Sequence, residues 1–355
     1  MKELKKIFTL FLAVLLSFTA IVPMSASAQT RDFDSYFLFD VWDHWGADQL
    51  DDLVNADIFG GYKTSQGDYE FRPNRTITRA EFAAIIVRSL QLTRKSASTS
   101  YPFTDVPANH ALRNEIAIAS DHGIIAGLGG GKFGPNQNVT REQIASMIVR
   151  AFSDTISFTG GTAKNFTDVP AGHWAAADIK KASSIGLVSG VSQTTFGMGR
   201  AATRGEAGVL LHRALNRETK NLTSADTLVS LANSYQTSLF SLDNATKAQL
   251  TNHINTYYTG FQKAFATEIY EYGYLADMNI TGELTFTVKS NHTRFAQVKG
   301  TGATMTFEYY DPDKRRDVVE TVDYEPTFYM KKIGSSWKIY YVEDFSFDFE
   351  EDYLY

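Results

Sequence analysis

The sequence predicts a multi-domain chain: a mostly α region of three tandem repeats, then a smaller α+β domain with an antiparallel sheet. Two observations carry this. Ile77-Thr78-Arg79-Ala80-Glu81, Val139-Thr140-Arg141-Glu142-Gln143 and Ala202-Thr203-Arg204-Gly205-Glu206 each open an apolar helical pattern, with the arginines 62 and 63 residues apart. Beyond Asn221 this grammar stops, and from Met278 the apolar period switches from three or four residues to two. The boundaries that follow are 1–28, a leader; 29–97, 98–159 and 160–219, the repeats; and 220–355, the α+β domain. Units of such a period cannot bury their apolar faces alone, so the three should pack into one compact domain with related grooves, each presenting an arginine.

The leader is a secretory signal peptide in pattern. Lys2, Lys5 and Lys6 precede an apolar run from Ile7 to Val22, then Pro23 and the small-residue site Ala26-Ser27-Ala28, with cleavage expected after Ala28. No later segment is apolar enough to span a bilayer, so no membrane association is expected after cleavage. The chain has no cysteine, which excludes disulfides, thiolate metal sites and cysteine nucleophiles. After the leader, the repeats carry 19 basic and 20 acidic residues, and the stretch from Lys220 onward carries 12 and 19. Neither part has the basic footprint of a nucleic-acid or anionic-membrane binder.

Each repeat opens on an Asp-Val element: Phe39-Asp40-Val41 with His44-Trp45, Phe103-Thr104-Asp105-Val106-Pro107 with His110, and Phe166-Thr167-Asp168-Val169-Pro170 with His173-Trp174. A first helix follows, with apolar positions Leu112, Ile116 and Ala119 in the second repeat and Ile179 and Ala182 in the third. Gly123 and Gly186 end it. The first repeat has Asp57 there. A second glycine follows at Gly61, Gly127 and Gly190, then Phe71, Phe133 and Phe196. In the first repeat that intervening loop, through Lys63-Thr64-Ser65-Gln66-Gly67, is four residues longer than in the other two.

The second helix of each repeat begins with a Thr-x-x-Glu/Gln capping box: Thr78 with Glu81, Thr140 with Gln143, Thr203 with Glu206. Capping puts each arginine in the first helical position, beside unsatisfied backbone donors and the positive end of the helix dipole. Two readings stand. Free N–H groups and a guanidinium form an anion site, or each arginine pairs with a carboxylate of a neighbouring repeat.

Taken in order, Phe-x-Asp-Val-x-x-x-His-Trp, Gly-Ile-Ile-x-Gly, Phe-x-Pro and Thr-Arg-Ala-Glu resemble the S-layer homology repeat of bacterial envelope proteins, in three copies over residues 36–216. The resemblance implies a pseudo-trimeric domain whose inter-repeat grooves bind cell-wall polysaccharide bearing a pyruvylated amino sugar. Carried over by motif, Arg79, Arg141 and Arg204 would hold the ketal carboxylate. Trp45 and Trp174 would offer flat faces to sugar C–H groups, and Gly61, Gly127 and Gly190 would let backbone approach the saccharide. Departures point to unequal grooves: Ala111 in place of tryptophan, Met198 in place of proline, Ala202 before the third threonine. His44, His110 and His173 recur at one position, but capping or packing suits them better than a shared metal. No metal, cofactor or nucleic acid is expected.

In the last third, Leu228, Leu231, Tyr235 and Leu239 suggest one helix. Leu250, Ile254, Tyr257, Phe261, Phe265, Ile269 and Tyr272 suggest a second, long one. Alternating strands follow, with turn signals at Asp311-Pro312-Asp313 and Gly334-Ser335-Ser336. Four or five antiparallel strands after helices, with a late Gly-x-x-Trp-Lys-Ile strand, weakly resemble NTF2-like domains, whose sheet wraps helices around a cavity. His253 and His292 read as isolated surface residues rather than bases. The acidic stretch at Glu343-Asp344 and Asp348 to Asp352 reads as solvated charge rather than a calcium site. The whole reads as a non-catalytic exported protein held at the cell wall and displaying its C-terminal module. The rivals are an S-layer lattice subunit and a wall-attached enzyme with its activity in residues 220–355.

Overall fold

A computed structural model describes residues 31–95, 101–242, 245–272, 279–311 and 316–343. The leader, most of the Asp311-Pro312-Asp313 turn and the acidic tail from Asp344 lie outside these residues.

Each repeat supplies two helices: α1 (Ala47–Asn55) and α2 (Arg79–Ser89), α3 (Arg113–Asp121) and α4 (Arg141–Ala151), α5 (Ala176–Ser184) and α6 (Arg204–Leu215). The main helix packing in this region runs between repeats. α2 lies against α3, α4 against α5, and α6 closes back on α1. The domain is therefore a ring of three exchanged pairs. At its centre, the residue before each cap makes backbone hydrogen bonds to its counterparts: Ile77 N–H to Ala202 O (3.2 Å), Ala202 N–H to Val139 O (3.0 Å) and Val139 N–H to Ile77 O (2.9 Å). All three residues are buried.

The Asp-Val aspartates fix the loops that lead to this centre. Asp105 accepts from Phe133 N and Gly134 N (both 2.8 Å), Asp168 from Phe196 N and Gly197 N (both 2.7 Å), and Asp40 from Phe71 N (2.8 Å) and Arg72 N (2.6 Å). Burial disfavours ionisation of Asp105 and Asp168, but these backbone donors outweigh it and hold both carboxyls below the usual range. In the first repeat the register differs from the motif reading. Leu38, not Phe39, is buried beside Gly61, where Phe103 and Phe166 sit beside Gly127 and Gly190. Phe39 stands at the position of Thr104 and Thr167 and is exposed. Asp57 keeps the left-handed backbone (φ 57°) of Gly123 and Gly186, held there by Tyr36 Oη (2.6 Å) and Arg31 Nη1 (3.3 Å) on its carboxylate. The longer first-repeat loop folds as a hairpin, β1 (Tyr62–Lys63) against β2 (Tyr69–Glu70).

The C-terminal module comprises α7 (Ala225–Phe240), α8 (Lys247–Tyr257), α9 (Gly260–Tyr272) and a sheet of β3 (Asn279–Asn291), β4 (Phe295–Asp311), β5 (Arg316–Tyr324), β6 (Thr327–Ile333) and β7 (Ser336–Glu343). All pairings are antiparallel. β5 and β6 lie end to end along β4, interrupted at Glu325-Pro326, so the sheet is a meander with a broken third strand. Tyr235, Phe286, Val298, Phe328 and Met330 fill the space between α7, α8 and the sheet.

The stripe from Leu250 to Tyr272 is two helices rather than one. Tyr258 turns extended, bridges Ile339 of β7, and Thr259 N–H donates to Ile339 O (2.9 Å). Gly260 follows with φ 56°, where a Cβ would collide with Asn55 O. His253 is not a surface residue: it is 2 % exposed, with Nδ1 2.8 Å from Ser238 Oγ and Nε2 without a partner among the described residues. His292 is half-buried and meets Glu218 O at 3.2 Å.

The module is docked on the repeats. Phe261 packs against Phe33, Tyr36 and Phe37. Tyr340 donates to Asp52 Oδ1 (2.6 Å), buried Lys331 donates to Ala56 O (2.6 Å), and Arg294 pairs with the fully buried Glu218.

Two predictions follow from this packing. A Cβ at Gly208 of α6 would run into Leu50 of α1. Gly208→Val should therefore destabilise the chain by about 1–3 kcal/mol, read as a lowered urea midpoint with unchanged slope. Burial moves His253 from its ordinary 6.5 down to about 4. The unfolded chain thus takes up the proton near pH 6.5 and the folded chain only near pH 4. Stability should fall across that window by on the order of 3 kcal/mol. His253→Gln, which keeps a partner for Ser238, should remove that component in urea titrations at pH 7, 5.5 and 4.

Candidate functional site: the grooves between repeats

Each signature arginine reaches into the next repeat round the ring. Arg79 Nε donates to Phe133 O (2.9 Å) and Nη2 to Ala126 O (3.1 Å). Arg141 donates to Phe196 O (3.0 Å) and Ser189 O (2.7 Å), and Arg204 to Phe71 O (2.9 Å) and Gly60 O (3.1 Å). Each guanidinium also lies over the phenylalanine whose carbonyl it holds. Burial lowers the pKa of all three, but arginine stays charged.

Five of the six amides at the first two helical positions are already occupied, contrary to the expectation of free N–H groups. Arg79 N donates to Gln137 O (2.9 Å), Ala80 N to Pro135 O (3.1 Å), Arg141 N to Arg200 O (3.0 Å), Arg204 N to Arg75 O (2.8 Å) and Gly205 N to Pro73 O (2.9 Å). The partners of the arginines are chiefly carbonyls of the next repeat. Among the described residues only Arg141 also pairs with a carboxylate of a neighbouring repeat, Glu206, at 3.5 Å from Nη1. Nη1 of Arg79 and of Arg204 has no hydrogen-bond partner among the described residues.

The glycines serve their own repeat. A Cβ at Gly127 would sit 2.8 Å from Lys132 O and 3.2 Å from the Phe103 ring, and one at Gly61 would sit 2.5 Å from Leu38 Cδ2. At Gly190 it would overlap Thr195 O. The space beside each is filled by protein. Trp45 and Trp174 are 63 % and 54 % exposed. His44, His110 and His173 fix the entry to the first helices: each Nδ1 accepts from the backbone N–H two residues on, that of the residue preceding the helix, at 3.2, 3.1 and 3.2 Å. The Asp40, Asp105 and Asp168 clamps were not singled out from sequence, although their recurrence 28 to 32 residues before the clamped amides is visible there.

The grooves differ in charge. Arg204 shares its groove with Tyr62, whose ring lies 4.8 Å from the guanidinium, and with the Arg75–Glu81 pair (3.2 Å). Arg141 faces Glu206, which also pairs with Arg200. At the corresponding positions near Arg79 the chain has neutral Gln137 and Gln143. His44 abuts Gly205 and feels Glu206, so the His44-Trp45 pair lies at the start of α6, beside the carboxylate that meets Arg141. By the symmetry of the ring, the corresponding element of the third repeat, with Trp174, would lie on the Arg79 side and that of the second, with Ala111, on the Arg204 side.

Residues 40–83, 102–145 and 165–207 match the S-layer homology domain. The chain therefore carries three tandem S-layer homology domains, arranged as the ring described above. Among similar proteins is an amylopullulanase of Thermoanaerobacterium thermosulfurigenes, 30 % identical over 50 % of this chain and 9 % of that protein. The surface-layer 125 kDa protein of Lysinibacillus sphaericus is 27 % identical over 59 % of this chain and 17 % of its own length. A cellulosome-anchoring protein of Acetivibrio thermocellus is 28 % identical over 41 % of this chain and 34 % of its own. The chain thus spans about a third or less of these relatives. The intermembrane-space region of chloroplast protein ARC6 aligns over 34 % of the chain at 12 % identity with a TM-score of 0.25, too slight a likeness to carry an argument. No helix among the described residues is long and apolar enough to cross a membrane.

Arg204→Ala would leave Phe71 O and Gly60 O without their partner at a buried seam. The expected cost is about 2–3 kcal/mol by urea unfolding. Arg141, with its side chain 16 % exposed, should cost less.

Proposed function

We propose that this chain is a non-catalytic, exported cell-wall anchor that binds wall polysaccharide in the grooves between its repeats and carries the C-terminal module with it. The observation that carries the reading is the threefold arginine seat: a guanidinium clamped by two carbonyls of the next repeat, with a further donor left over at Arg79 and Arg204. A compact carboxylate such as a pyruvyl ketal on an amino sugar suits that donor. The exposed Trp45 and Trp174 suit sugar C–H faces. The presence of the same domains in a surface-layer protein and a cellulosome-anchoring protein supports the wall as the target.

The grooves rank by what competes for each arginine. Beside Arg79 stand neutral Gln143 and, by symmetry, Trp174, and the one carboxylate it feels, Asp105, is already engaged by Phe133 N and Gly134 N. Glu206 competes at Arg141. At Arg204 the tryptophan is missing and Tyr62 covers the guanidinium. The Arg79 groove is therefore the strongest.

The test is co-sedimentation of the full chain with Gram-positive walls, before and after removal of the secondary polysaccharide. Binding should disappear on stripping; binding that survives it would overturn the reading. Gln143→Glu keeps the capping box and installs a competing carboxylate beside Arg79. It should weaken binding about tenfold, roughly 1.4 kcal/mol, and no change would refute the ranking.

A further inference from the structure

Where the C-terminal module meets the ring, a partly enclosed cleft of about 200 Å³ opens between α1 of the first repeat, α6 of the third and the sheet. Its floor is a fixed polar chain. Asp52 accepts from Tyr340 Oη (2.6 Å), its other oxygen lies 2.8 Å from His212 Nε2, and Asn216 Nδ2 donates to His212 O (3.0 Å). These groups are pinned by one another, so their remaining lone pairs and protons have set directions.

Above this floor the cleft is lined by Gln49, Ser290 and Gln297, whose side chains make no hydrogen bond to protein among the described residues. The Tyr329 ring forms part of the wall, held by Tyr329 Oη on Glu343 (3.1 Å) and by edge contacts with Tyr340 and Tyr341. Neither lysine nor arginine lines the cleft. The volume is below the range usual for a drug-sized ligand or peptide segment.

We infer that this joint is a second binding site, for a single neutral sugar ring such as a hexose or an N-acetylhexosamine. Side-chain amides both donate and accept, which matches hydroxyls that do the same. The Asp52 carboxylate adds acceptors, and a tyrosine face suits the C–H side of a pyranose. With no lysine or arginine in the lining and with Asp48 and Asp52 both in it, the cleft disfavours an anionic ligand, which separates it from the arginine grooves. Its residues come from the first repeat, the third repeat and the sheet. The site therefore exists only in the docked state, and an occupant would stabilise the joint.

The test uses the full chain and saturation-transfer NMR with N-acetylglucosamine and glucose at millimolar concentration. Transfer should be seen with at least one sugar, survive in the Arg79→Ala/Arg141→Ala/Arg204→Lys variant, and fall at least fivefold in Gln297→Leu and in Asn216→Leu. As a readout free of mutation in the lining, the His212 ring resonance of the unaltered chain, assigned by its loss in His212→Gln, should shift with added sugar. Transfer lost in the arginine variant but kept in the cleft variants would place the sugar in the grooves and overturn the inference. So would an absence of transfer, or an unmoved His212 signal. Wall sedimentation of Gln297→Leu should stay unchanged, so failure here leaves the anchoring reading standing or falling on its own.

Discussion

Three backbone hydrogen bonds among Ile77, Val139 and Ala202 set the geometry of the repeat domain. Each of these residues must lie extended to bond its neighbours, and the helix must begin immediately afterwards. The threonine that follows makes this possible, because a capping residue is extended while its side chain starts the helix. Once the ring closes, the first turn of each capped helix points into the next repeat. Its N–H groups then meet that repeat's loop carbonyls, and the arginine in that turn meets two more. The arginine seat is thus a consequence of ring closure. The helix dipole and the guanidinium are both answered by carbonyl dipoles, which removes the local penalty of a cation at a helix N-terminus.

The same constraint explains why the copies can diverge without losing the fold. Backbone partners at the centre do not depend on side chains, so Ala202 serves where Ile77 and Val139 are larger. Where Met198 replaces proline in the third repeat, the Glu142 carboxylate takes Gly199 N–H at 3.0 Å and helps hold that loop. Leu38 fills the place of a phenylalanine, and Asp57 takes a left-handed backbone because Tyr36 and Arg31 hold its side chain. Divergence then accumulates at the groove rims. Gln143 against Glu81 and Glu206, Ala111 against two tryptophans, and the Tyr62 hairpin change what each arginine faces and leave its seat intact.

Much of this was legible in the sequence because it is local. Three capping boxes, the helices they open, the glycine stops and the switch to a period of two are matters of spacing over a few residues. What the arginines and helix-end amides bind was not, because Arg204 finds its carbonyls 133 and 144 residues away. The break at Tyr258 was hidden for a related reason. The apolar stripe continues through it, and only the approach of β7 and of Asn55 makes an extended Tyr258 and a left-handed Gly260 favourable. His253 read as a surface residue because a lone histidine carries no periodic signal of its own, although Ile254 beside it belongs to the apolar stripe. Its burial follows from the tyrosines of α7 and α8 closing round it.

The docking of the C-terminal module bears directly on the proposed anchoring role. A module on a free linker would be held near the wall with no fixed direction. Here the joint buries Lys331 against Ala56 O and Glu218 against Arg294. Burying charge is costly, and burial indeed lowers the Lys331 pKa and raises that of Glu218. Such groups are tolerated only where their partners are accurately placed, so they specify one docking pose more than they strengthen it. Apolar contact from Phe33, Tyr36 and Phe261 supplies the attraction that offsets them. Since α1 and α6 build both the 3–1 seam of the ring and the platform for the sheet, the direction of the module follows from ring closure. Whatever the grooves hold, the sheet and the cleft beneath it are presented at a set angle to that ligand.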